Sequence, residues 1–405
     1  MGFDGRVQPR DAVRRLAIGR ALSSTGSGIA GVALSYLIYE RTGSALWLAG
    51  TLFFTFGVTG VLTPLAGKVA DRYDRRLVMM VSDVSSLAIW LVLVFVRLPV
   101  LLAAVGFAAS VVALPFGFAA AAAIPNIVDD EQLPWANGWM AGAGSVGRLA
   151  GPAIGGALYA FGGAGLAFAV NALSFGLSAF LVWSVRGIAF SAERTDQEEA
   201  DDSALEGFRV IRRDRFLLWL TIAWTCMWLA MNIAFVADPP LAKDFGVGAL
   251  GFGLIDTAFG VGALVGSVLA TRVVRGNGYW WVAAGCFGVA VGWFMIALTP
   301  WFVLVLVGSA IAAALDATGG VAGYGLIQAR VADATRGRVF AAQSTAGLSA
   351  NMFGFVLVGP LVELLGPRAV YGCGGVLAVA ATLLFVVPTR GDISARQTER
   401  AGTAA

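Results

Sequence analysis

Twelve times along its 405 residues the chain runs apolar for about the thickness of a bilayer. A hydrocarbon core of about 30 Å takes roughly 20 residues of helix. Read with that ruler, the spans fall near 16–38, 46–66, 77–96, 100–123, 136–160, 164–185, 216–237, 250–271, 280–298, 301–325, 338–362 and 369–388. Charged residues make up 13% of the chain, about half the share of a globular protein, so most of the solvent is lipid. Fifty-three glycines suit helices that must pack backbone to backbone. The expectation is an all-α integral membrane protein with twelve transmembrane helices.

What is missing narrows the function. There is no histidine, and no Gly-x-x-x-x-Gly-Lys nucleotide loop. Cys226, Cys286 and Cys373 each stand inside an apolar run, far apart in sequence, and read as small hydrophobes rather than a metal or disulfide set. An enzyme, an ATP-driven pump, a metal site and a nucleic-acid partner all lack the residues they would need. No cofactor is expected.

Cation placement sets the orientation. With the N-terminus inside, 22 of the 28 Lys and Arg residues lie on the inner side, from Arg6, Arg10, Arg14 and Arg15 to Arg390, Arg396 and Arg400. Only Arg41, Lys243, Arg97 and Arg368 lie outside, while Arg20 and Arg148 fall within helices. Cations resist translocation, so both termini are expected in the cytoplasm of a multi-pass plasma or inner-membrane protein. The N-terminus leads into a full span without a cleavage-site pattern, so no removable signal peptide is expected. Residues 1–15 read as a cytoplasmic segment, 16–186 as one six-helix bundle, 187–214 as a cytoplasmic linker, 215–388 as a second bundle and 389–405 as a tail. The linker is acidic from Glu193 to Glu206 and ends in the basic run Phe208 to Arg213, read as a short amphipathic helix on the inner membrane surface. Pro99, Pro300 and Pro367 mark very short turns on the opposite side.

Between spans two and three stands Gly67-Lys68-Val69-Ala70-Asp71-Arg72-Tyr73-Asp74-Arg75-Arg76. A plain positive-inside turn would need only scattered arginines. Here Gly67 lets helix ends approach, and Asp71 can accept hydrogen bonds from a neighbouring helix N-terminus. Gly151-Pro152 in span five is echoed by Gly359-Pro360 in span eleven, and Asp129 to Glu131 by Asp333 to Arg338. With Asn171 to Phe175, Glu206 to Arg209 and Gly337 to Phe340, these stretches resemble the major facilitator superfamily, in particular the bacterial branch of enterobactin-type and macrolide exporters. The resemblance implies two pseudo-symmetric six-helix bundles that rock about a central site. It also implies that Gly67, Asp71, Arg72, Arg75 and Arg76 form a gating turn. Ser27 stands where relatives carry Asp, and no Arg follows Asp83 at the usual short distance.

Site candidates follow. Gly147, Gly151 and Gly155 recur at four-residue spacing, a flat face for close helix packing, and Pro152 bends the helix. Gly151-Pro152-x-x-Gly155-Gly156 is similar to the superfamily's drug–proton antiporter motif. Arg148, on the same helix near mid-membrane, needs a cavity or a partner. The superfamily packs spans five and eight together, which makes Asp256 the expected partner. Asp316 then becomes the candidate proton-coupling carboxylate, with Asp256 next. Asp316, Gly320 and Tyr324 share a face of span ten, and Trp224, Trp228 and Asn232 form an i, i+4, i+8 stripe on span seven. Both helices line the cavity in the superfamily, and such a stripe suits a lipophilic, aromatic or cationic ligand. Asp83 and Asp238 read as structural groups near membrane edges with solvent access. The expected function is export of a small lipophilic compound such as a drug, siderophore or secreted metabolite. Proton antiport would drive it, in a monomer whose partners are substrate, protons and lipid. The rival readings are a nutrient importer or facilitator and a non-transporting membrane sensor.

Overall fold

The computed structural model describes residues 8–190, 204–274 and 277–402, with side chains omitted at 204, 334 and 391–402. The acidic stretch of the linker up to residue 203, with Arg6, Arg194 and Arg275, therefore lies outside the described residues. Every described element is helical: α1 (Pro9–Thr42), α2 (Ala45–Leu52), α3 (Thr59–Arg72), α4 (Arg75–Phe95), α5 (Pro99–Ile127), α6 (Leu133–Ser184), α7 (Ala204–Arg213), α8 (Arg215–Asp244), α9 (Gly248–Val273), α10 (Gly278–Leu298), α11 (Phe302–Arg330), α12 (Asp333–Leu365) and α13 (Pro367–Gly402).

Two features reconcile this list with twelve spans. A π-helical turn, Phe53–Val58, joins α2 to α3 into one crossing. Helix α6 is really two crossings, because Gly163 adopts φ 72° and ψ 178° and folds the chain back on itself. Only glycine takes that conformation at little cost. Its first limb (133–162) and second limb (164–184) thus match spans five and six. Proline opens α5 and α13, positions where its missing N–H costs nothing. The final helix runs on through residues expected to be tail, as far as Gly402.

The chain divides into two compact units. The first comprises Met1–Gln197 and Ala242–Thr257, the second Glu198–Leu241 and Ala258–Ala405. In the first, α1 lies along the first limb of α6 at backbone contact. A methyl group on Gly151 would meet Gly28 Cα at 2.8 Å, and one on Gly155 would meet the Ile29 carbonyl oxygen at 2.6 Å. Apolar clusters around Leu16, Met79 and Ile124 and around Ile38, Leu102 and Phe168 fill the space between these helices and α4 and α5. In the second unit, α10 and α11 meet through Gly285 against Gly319 and Gly292 against Gly308. Trp293, Tyr371, Phe355 and Phe385 are its largest buried side chains among the described residues.

The two acids expected near solvent are buried instead. Asp83 is 1% exposed, beside Ser178 of α6, and Asp238 is 2% exposed, accepting a hydrogen bond from the Tyr371 hydroxyl. Depth counted along one helix says nothing about what neighbouring helices cover. The basic run of the linker does form a helix, but α7 is docked on protein. Gly207 sits so close to the Arg338 carbonyl that a methyl group there would lie 1.9 Å from it, and Ile211 is 2% exposed.

Candidate functional site

The second unit holds an open cavity of about 330 Å³ between α8, α10 and α11. Asp316, Gly320 and Tyr324 reach it from α11, since four-residue spacing keeps them on one face. Trp224, Met227, Trp228 and Met231 reach it from α8, and Cys286 from α10. The Asp316 carboxylate makes no hydrogen bond or ion pair among the described residues. Trp224 and Tyr324 pack with ring centroids 5.1 Å apart, and Tyr324 continues to Phe340 at 5.8 Å. Beyond Trp228 and Tyr324 a recess of about 300 Å³ is bordered by Gln328, Phe340, Gln343 and Ser344.

Glycines seat both indoles. A methyl group on Gly323 would lie 2.3 Å from the Trp224 ring, and one on Gly347 would lie 1.4 Å from the Trp228 ring. The third member of the stripe does not join them. Asn232 is wholly buried, its amide nitrogen donating to the Trp228 carbonyl at 2.9 Å and lying against Gly354 of α12. Each four-residue step turns about 40° past a full turn, so the stripe has rotated out of the cavity by its third residue. Met227, Met231 and Cys286 escaped sequence reasoning. Their apolar character gave no sign of which helix face they occupy.

The expected Arg148–Asp256 ion pair is absent among the described residues. Arg148 instead donates to Ser145 Oγ at 3.1 Å. Within the first unit, Gly156 packs on Ala249, Pro152 on Gly253, and Thr257 donates to the Leu149 carbonyl at 3.3 Å. Those contacts make the first limb of α6 and the start of α9 antiparallel. Side chains lean toward the N-terminus of their own helix, so the guanidinium and the carboxylate lean in opposite directions.

The glycine motif of α6 serves two neighbours at once. Gly151 and Gly155 meet α1, while Gly156 and Pro152 meet α9. At the turn between α3 and α4, Gly67 has open space where a side chain would point, so close approach does not explain it here. Nor does Asp71 cap a helix: it makes no hydrogen bond among the described residues. The cap of α4 is Asp74, which accepts from the Leu77 N–H at 2.9 Å. Arg75 donates to the carbonyls of Ala122 at 2.8 Å and Phe190 at 3.3 Å, Arg76 donates to that of Trp183, and Arg72 also has a partner.

The model of the Major Facilitator Superfamily matches residues 16–240 and again 228–404. The chain belongs to that superfamily. The second match covers the other half of the chain. Membership makes it a carrier of a multi-pass membrane family and not an enzyme. Among curated relatives it is 25% identical to macrolide efflux protein A of Streptococcus pyogenes over 62% of this chain, which spans 64% of that protein's length. It is 26% identical to the enterobactin exporter EntS of Escherichia coli, over 94% of this chain and 93% of the relative. Two solved structures share the fold. One is a bacterial homologue of the iron transporter ferroportin in an inward-facing state (TM-score 0.73, 18% identity, 94% of this chain and 98% of that one). The other is the nucleoside transporter NupG (TM-score 0.73, 15% identity, 93% and 98%).

Proposed function

We propose that this carrier exports a small lipophilic molecule with an aromatic portion, by proton antiport and alternating access. One observation carries the reading: the Asp316 carboxylate opens, without a partner among the described residues, on a cavity walled by Trp224, Trp228 and Tyr324. A volume near 330 Å³ falls in the range of drug-sized sites. Indole and phenol faces bind flat or cationic ligands by stacking. A carboxylate in so apolar a wall must be neutralised by a proton or by a cationic ligand, so substrate and proton compete for one place. That competition is what antiport requires. The names of the relatives support the outward direction, and the excess of cations on the side of the N-terminus supports cytoplasmic termini in a bacterial inner membrane.

The test is reconstitution in liposomes with an imposed pH gradient and a panel of aromatic antibiotics and catechols. Wild type should accumulate at least one of them uphill. Asp316→Asn should lose uphill accumulation while keeping exchange down a gradient. Gradient-driven accumulation by the variant at wild-type level would make Asp316 structural.

A further inference from the structure

Where α1 runs beside the first limb of α6, two arginines flank one glycine. A methyl group on Gly144 would stand 3.4 Å from Nη1 of Arg148 and 3.4 Å from Nε of Arg20. The two nitrogens are therefore no further apart than those two legs laid end to end. Arg20 Nε is buried without a hydrogen-bond partner. The Arg148 guanidinium is exposed, and its one bond is to Ser145 Oγ. Among the described residues neither forms an ion pair. Of the acids buried within this unit's helices, Asp83 lies beside Ser178 and Asp256 leans away toward the start of α9.

Each guanidinium is a planar cation with five N–H donors and no acceptor. Two like charges inside a membrane helix bundle repel each other, and each is costly unless it meets an anion or a wet cavity. Packing alone would be served by an uncharged side chain. Paired planar forks, by contrast, match the oxygens of a carboxylate or phosphate. We propose that Arg20 and Arg148 bind an oxyanion, the carboxylate or phosphate group of an amphipathic aromatic substrate. The proposal rests on the carrier reading and narrows its substrate class to molecules that carry an oxyanion as well as the cationic group that competes with the proton at Asp316. An anionic lipid headgroup offers the same chemistry, and the test separates the two sources.

The full-length protein in neutral detergent is titrated with benzoate, phenyl phosphate and benzyl alcohol while its thermal unfolding is followed. Wild type should be stabilised saturably by the two anions and not by the alcohol. Arg20→Gln and Arg148→Gln should each weaken the anions by about tenfold or more. If those variants do not purify, Arg20→Lys and Arg148→Lys keep the charge but lose the fork, and should weaken benzoate. In nanodiscs, stabilisation by phosphatidylglycerol that the same variants lose would support the oxyanion site and name lipid as its occupant. Equal stabilisation by benzyl alcohol, or anion responses unchanged in all these variants, would overturn the site. The measurement uses no gradient, so failure of proton coupling at Asp316 leaves its outcome readable.

Discussion

A single methyl group decides whether Trp228 can stand where it does. Gly347 leaves no room between α12 and the indole, so Gly347→Ala must push the ring into the cavity or out of its seat. The expected outcome is loss of the tightest-binding aromatic substrate from the transport panel, with a lowered melting temperature. By the same measure Gly320→Ala, which meets nothing within 4 Å, should leave stability unchanged and narrow the cavity only slightly. At this scale the sequence was informative wherever spacing alone fixes a face: Asp316, Gly320 and Tyr324 needed nothing more. It was silent about the partner of a face, which is why Asn232 was placed with the tryptophans and why the indole-seating glycines went unnoticed. The neighbour of Arg148 is Arg20, a residue four spans earlier in the chain whose approach no local pattern announces.

Helix pairs show the same division. The four-residue glycine repeat on α6 was readable as a packing face, and the seam with α1 is where it packs. Gly151→Val should collide with Gly28 at backbone level, costing several kcal/mol as overpacking does, and purified yield should collapse. Gly142→Val, on an open face of the same helix, is the matched control and should purify normally. Elsewhere, one residue ties three helices of the second unit together. Asp214 accepts from the N–H groups of Phe216 and Leu217 at the start of α8 and from Arg330 Nε at 2.6 Å at the end of α11, and α7 ends one residue before it. Burial alone would raise its pKa, but the Arg330 bond and those backbone donors outweigh it and hold the carboxyl below its ordinary range. The stabilisation is therefore complete above the ordinary carboxylate range and is lost as pH falls through the depressed value. Asp214→Ala should lower stability by at least about 1 kcal/mol, the usual worth of a cap, equally at pH 6 and pH 8, as thermal unfolding at both would register.

For the molecule as a whole, counting apolar residues was enough to give twelve crossings, because a bilayer tolerates so few alternatives. It could not show that the two crossings at Gly163 join through a single residue, nor that Ala242–Thr257 packs with the first unit. Consecutive crossings alternate in direction, so every second connection emerges on the same face. Those connections are Gly43 and Ser44, residues 96–98, Gly163, residues 245–247, residues 299–301 and Gly366. None exceeds three residues, so this face has no strand of chain long enough to fold over an opening as a lid. Occlusion on this side has to come from helices moving bodily. A protease confined to this side should find no cleavable loop and leave the chain intact on a gel. Epitope tags spliced into these turns should pull crossings apart and abolish transport.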